Sequence, residues 1–131
     1  MNASWYQIDN ISEYDSPGLV LYKERVAANI ERAAARMSDL SLLRPHVKTN
    51  KIAEVCAMML EKGIIKFKCA TIAEAEMLGS LRAPDVLIAY QPVGPKIKRF
   101  TNLVQQFPAT TFSCILVDIS VAEQLSHEFQ Q

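Results

Sequence analysis

Arg44, His46 and Lys48 stand at alternate positions in the stretch LRPHVKTNK, residues 43–51. Read as a strand, the three share one face, with Leu43, Val47 and Thr49 on the other. The second face is ordinary apolar sheet. The first places an amine beside an imidazole and a guanidinium on a strand that otherwise reads as buried. A buried lysine loses hydration when charged, and neighbouring cations disfavour its charge further, so both effects predict a lowered pKa for Lys48. A partly neutral lysine attacks carbonyls and forms Schiff bases. Pyridoxal phosphate fits that chemistry, because its aldehyde condenses with a lysine amine. The plain structural reading is a solvated lysine at a strand end beside a histidine satisfied within the fold. Spacing alone leaves both open.

The elements that must position these groups follow from periodicity. DSPG at Asp15–Gly18 is a turn signal, and LVLY, Leu19–Tyr22, reads as a short strand. Val26, Ile30, Ala33, Ala34 and Met37 recur at helical spacing and predict a helix over Lys23–Ser38. The strand Ser41–Thr49 comes next, then a helix over Lys51–Lys62 that stops at Gly63. The alternation continues with a strand at Ile64–Ala70. Its following helix has Thr71 as cap and Glu74 completing a capping box. A strand at Asp85–Tyr90, a helix over Lys96–Gln106, a strand at Thr111–Asp118 and a last helix capped by Ser120, with Glu123 at the box position, complete the chain.

Four strand–helix pairs with short linkers, and strands that are near-continuous apolar runs, predict an α/β fold with a parallel sheet covered by helices. A doubly wound dinucleotide-binding sheet lacks its signature here, since no glycine-rich turn follows any strand. A complete (β/α) barrel takes eight units and roughly 250 residues. The four units here are therefore expected to form about half of one. In such folds the chemistry lies at the carboxyl ends of the strands. Lys48 falls at such an end, as do Tyr90, Gln91 and Asp118, the last read as a helix cap or structural group. Lys66 and Lys68 alternate with Phe67 and Cys69 and read either as inward-facing cations or as an edge in water. Lys51 reads as a solvated helix start.

Composition narrows the class. The chain has 131 residues, half of them apolar, and no formal net charge. Neither a basic excess for nucleic acid nor a charged tail for a membrane surface is present. No apolar run approaches the roughly 18 residues that span a bilayer. The three cysteines, Cys56, Cys69 and Cys114, have neither metal-knuckle nor disulfide-framework spacing. Buried thiols in a reducing cytoplasm are expected.

LRPHVKTNK closely resembles the cofactor-lysine segment of the D-threonine aldolase/D-serine dehydratase-like family, whose amino-terminal domain is an alanine racemase-type barrel. SPGLVLYKERVAANIERAAAR is similar to that family's first strand and helix, KCATIAEAEML to its second strand and helix, and DVLIAYQPVGPKIKRF to its third strand and following loop. The resemblance implies residues 1–22 as an amino-terminal segment with a first strand, and residues 23–131 as the (β/α)4 part of a pyridoxal phosphate-binding, alanine racemase-like TIM barrel. It implies that Lys48 forms the internal aldimine, and that His46 and Arg44 line the pocket below the cofactor ring. Asn50 stands where the family commonly has histidine, so no proton relay is expected there.

What the resemblance implies for function is a lyase acting on D-amino acids with a β-hydroxyl, by retro-aldol cleavage or dehydration. A divalent metal, Mn or Zn, would be held by a histidine and an acidic residue in a carboxyl-terminal β-domain that 131 residues cannot contain. His127, on a surface helix, is expected to be solvated. The chain is thus expected to be an amino-terminal fragment without significant activity of its own, pairing with a second copy to cover its open sheet edges. An amino acid racemase on the same barrel and a non-enzymatic pyridoxal phosphate-binding protein are the alternatives.

Overall fold

A computed structural model describes residues 4–130, so the first three residues of the expected amino-terminal segment, and Gln131, lie outside the described residues. Helix α1 spans Lys23–Ala34 and buries Ile30 and Ala34. It stops four residues short of the expected end. Asp39 then starts a separate 3-10 turn, Leu40–Leu42, by accepting the Ser41 N–H at 2.8 Å. Helix α2 spans Ala53–Glu61. Gly63 closes it at φ 92°, with the Ile64 N–H reaching the Met59 carbonyl and the Gly63 N–H reaching Leu60. This pair of hydrogen bonds needs the left-handed conformation that glycine adopts without penalty.

Three strands follow, β1 Lys66–Cys69, β2 Asp85–Ile88 and β3 Thr111–Cys114. They form a parallel sheet in the order β1-β2-β3, with Lys66 opposite Asp85 and Asp85 opposite Thr111. Helices α3 (Ile72–Ser80), α4 (Pro95–Gln106) and α5 (Ile119–Phe129) alternate with them. Phe67, Cys69, Val86 and Ile88 point to the helix side and join one apolar cluster with Ile72, Leu78, Phe100, Leu103, Val121 and Leu125. The alternate residues Lys66, Lys68, Asp85 and Leu87 form a half-exposed opposite face. The expected α/β architecture with parallel strands is therefore present. The two-sided cover is not: among the described residues the helices bury one face of the sheet.

Two expected strands take other forms. Leu19–Tyr22 is irregular, and Leu19, Val20 and Leu21 are exposed. An apolar run becomes a strand only where a neighbour's backbone completes its hydrogen bonds, and among the described residues none does. The segment expected as the strand Ser41–Thr49 meets the sheet at one parallel bridge, His46 to Lys68, before entering a 3-10 turn at Val47–Thr49. Pro45 removes one N–H from that edge, which shortens any ladder there. The final helix also differs at its start. Asp118, rather than Ser120, is the cap, accepting the Ser120 N–H at 2.8 Å.

Candidate functional site

The carboxyl end of β1 and the turn beside it form the candidate site. His46 pairs with Lys68, and two residues later Lys48 leaves the bridge on the 3-10 turn. Val47, 1% exposed, anchors that turn in the core. The Lys48 backbone N–H donates to His46 Nδ1 at 3.2 Å. Nδ1 is thus the acceptor, and the neutral ring carries its proton on Nε2. Burial pushes the His46 pKa below its ordinary value. The positive charges of Lys48 and Lys68 act in the same direction, partly opposed by Glu74.

Lys48 itself is exposed, which corrects the expected burial of its amine. The cause is the sheet's uncovered face: no described residue stands over the turn to exclude water. Lys48 has no ion-pair partner among the described residues, whereas Lys51, Lys62 and Lys98 each have one. Its side chain is unpaired and stands next to a neutral imidazole.

Arg44 is placed differently from its two neighbours. Its guanidinium donates to both oxygens of Asp85, each at 2.7 Å, and to the Phe67 carbonyl at 3.1 Å. Asp85 is the first residue of β2, so Arg44 is engaged at the amino ends of the strands. Lys48 stands four residues further along, on the order of 10 Å away at strand rise. The structure therefore brings His46 and Lys48 together and sets Arg44 apart, with its hydrogen-bonding fork already filled.

Glu74 belongs to the site and was read from the sequence only as a capping residue. Its N–H does donate to the Thr71 hydroxyl oxygen at 3.1 Å, as a capping box requires. Its carboxylate reaches one residue further back than the motif predicts, accepting the Ala70 N–H at 2.7 Å. The side chain is only 5% exposed, and its free oxygen, Oε1, lies 3.5 Å from Lys51 Nζ. Lys51, 60% exposed, is solvated as expected and also faces this carboxylate. The buried position of Glu74 had a sequence signal in the apolar residues around it, Ile72, Ala75 and Leu78.

The remaining rim is built from the loops after β2 and β3. Gln91 Oε1 accepts the N–H groups of Val117 and Asp118 at 2.7 and 3.0 Å, tying the two loops together. Tyr90 is half-buried with Lys96 4.8 Å above its ring, and burial raises its phenol pKa. Lys66 and Lys68 lie on the uncovered face of β1. Burial pushes the Cys56 thiol to about 11 and the Cys69 thiol to about 12, so neither is a thiolate nucleophile at neutral pH. Cys114 is half-buried, and all three thiols are free. His127 is exposed on α5. Among the described residues no three His, Cys, Asp or Glu side chains converge as a metal site, and no helix is long and apolar enough to cross a membrane.

No protein-family model matches the chain. A curated relative, D-threo-3-hydroxyaspartate dehydratase of Delftia sp. (strain HT23), is 34% identical over 82 residues, a stretch covering 62% of this chain and 22% of the relative. A solved structure, D-threonine aldolase from Filomicrobium marinum, aligns with a TM-score of 0.78 at 23% identity, over 92% of this chain and 32% of that one. At that identity the structural likeness speaks for the fold, which is α/β of the alanine racemase-like kind. The chain is thus similar in sequence to a protein named as a dehydratase and in fold to one named as a D-threonine aldolase. The chain spans about a fifth of its curated relative's length.

Proposed function

We propose that this chain carries the lysine-bearing part of a pyridoxal phosphate-dependent lyase acting on D-amino acids with a β-hydroxyl, and that Lys48 holds the cofactor. The observation that carries the reading is the unpaired Lys48 amine at the carboxyl end of a parallel sheet, its backbone N–H bound to a neutral imidazole. The residues present fit the group: an aldehyde needs a free primary amine, and Lys48 supplies one. When bound, the cofactor acts as an electron sink for charge left when a bond to the substrate α-carbon breaks.

The chain's own residues do the rest that can be assigned. His46 fixes the Lys48 turn through Nδ1 and keeps a second positive charge away from the amine by remaining neutral. Val47 holds the turn against the core. Lys48 would hold the cofactor, and its side chain is the group of this turn that would carry a proton there. The relatives' names give two outcomes, dehydration and aldol chemistry, and both name a D-configured compound, which supports that substrate class. A divalent metal, Mn or Zn, and the groups for the phosphate would come from outside these residues. The 131 residues alone are accordingly expected to turn over no D-amino acid. Two copies are expected to pair through the uncovered sheet edges, with light scattering as the check.

The test is covalent. The protein is incubated with pyridoxal phosphate, reduced with borohydride and digested for mass spectrometry. The pyridoxyl group is expected on Lys48, and the Lys48→Ala variant is expected to lose it. Equal labelling of that variant overturns the assignment.

A further inference from the structure

The segment that presents Lys48 is held to the sheet by very little backbone. One bridge joins His46 to Lys68, with the Lys68 N–H donating to the Pro45 carbonyl at 2.9 Å. Pro45 has no N–H to return, and after His46 the chain turns away into the 3-10 turn. Such an edge specifies its register weakly. A slip by one residue exchanges the faces of every side chain on it. Here it would put Val47 or Thr49 where Lys48 belongs.

Val47, anchored in the core, resists that slip on one side, and a second side chain resists it across the sheet. Arg44 reaches past β1, donating to the Phe67 carbonyl in passing, and closes a two-point fork on Asp85 of β2. Asp85 is itself placed by the β1–β2 ladder, opposite Lys66, and its own N–H donates to the Ile65 carbonyl at 3.2 Å. The fork is planar and bidentate, so it is satisfied at one position of the segment and not at its neighbours. An arginine bound to an aspartate two strands away thus measures the segment against the sheet.

We infer that the Arg44–Asp85 pair is a register clamp: Arg44 is a positioning residue that sets which side chain of the 43–48 segment stands at the carboxyl end of the sheet, and so presents Lys48. This rests on Lys48 being the cofactor lysine, and it replaces the expected role of Arg44 as a pocket-lining contact. Arg44 acts through the backbone rather than by touching cofactor or substrate.

Two measurements test it, and they separate the clamp from the function. The first is hydrogen exchange of the Lys68 amide without cofactor, with the Ala89 amide as an internal control because it donates to Cys69 within the sheet. Arg44→Ala and Asp85→Asn are expected to speed Lys68 exchange by roughly tenfold or more, as loss of a charge-assisted fork implies, while Ala89 is unchanged. Arg44→Lys keeps the charge but loses the fork, and is expected to fall between. The second is the site of pyridoxyl label after borohydride reduction. It is expected to spread from Lys48 to Lys51 and Lys68 in Arg44→Ala, a redistribution that general loosening of the fold would not produce with the Ala89 amide still protected. Unchanged Lys68 exchange, or equal acceleration at Lys68 and Ala89, overturns the clamp. Should Arg44→Ala not fold, Arg44→Lys and Asp85→Asn decide the same question. Absence of label on Lys48 in the unaltered protein would defeat the functional reading alone, since the exchange result still decides the clamp.

Discussion

The Glu74 carboxylate, buried to 5% exposure at the start of α3, lies 3.5 Å from the ammonium of Lys51, three residues past Lys48. That separation is too long for a good hydrogen bond, so the contact is one of charge. Its partner oxygen is firmly used, accepting the Ala70 N–H at 2.7 Å. Glu74 thus joins the loop leaving β1 to the loop leaving the Lys48 turn, where Lys51 holds a left-handed φ of 52°.

Removing that carboxylate leaves the part-buried Ala70 N–H without its partner. Glu74→Ala is expected to destabilise the protein by about 1 kcal/mol, the lower end of the cost of an unsatisfied donor. Glu74→Gln can still accept from Ala70 and is expected to cost less, since it forfeits only the Lys51 charge contact. Denaturant unfolding of the two variants checks the order. Equal losses would mean that the charge contact, not the Ala70 hydrogen bond, dominates.

His46 makes stability depend on pH in a defined direction. Its folded pKa is depressed, chiefly by burial and then by Lys48 and Lys68. Above the unfolded value the ring is neutral in both states and no penalty arises. Below about pH 6.5 the unfolded chain takes up a proton that the folded ring resists, so stability falls until the folded pKa is passed. Melting curves from about pH 8 to about pH 5 are expected to decline less in His46→Gln than in the parent protein. The chain has only two histidines, so an imidazole titration with a His127→Gln variant assigns the signal directly. A His46 midpoint above 6.5 would contradict the prediction.

Gly79 is required by packing rather than by backbone conformation. A Cβ built there would lie 2.7 Å from two ring atoms of Phe107. Gly79→Ala should gain roughly 1 kcal/mol of helix propensity in α3. Overpacking costs about 1–3 kcal/mol, and it is the larger effect because the clash is with the base of the half-buried Phe107 ring, whose Cβ is also only 3.2 Å away, and not with the end of a flexible side chain. Net destabilisation is expected, relieved when Phe107→Leu is added. A more stable Gly79→Ala would show that the ring has room to move.

Sequence patterning by itself determined the five α-helices and the three sheet strands of the described residues in their order, but not the length of the last strand, which ends at Cys114 and leaves Ile115–Val117 exposed. The helix stop at Gly63 and the Thr71 cap were legible because they depend on neighbours within a few residues. The link between His46 and Lys48 took another form than the shared strand face expected: His46 Nδ1 caps the 3-10 turn by accepting the Lys48 backbone N–H. Tertiary structure decided what depends on distant chain. Whether Leu19–Tyr22 and Ser41–Thr49 became strands rested on a partner backbone, and the second found only a single bridge. The partner of Arg44 lay 41 residues away, on β2, and no local spacing points to Asp85. The exposure of Lys48 was likewise out of reach of the sequence, because hydration is set by what stands opposite a side chain. Local hydrogen bonds and periodicity are written into adjacent residues; burial and long-range ion pairs exist only once the sheet has brought separate segments together.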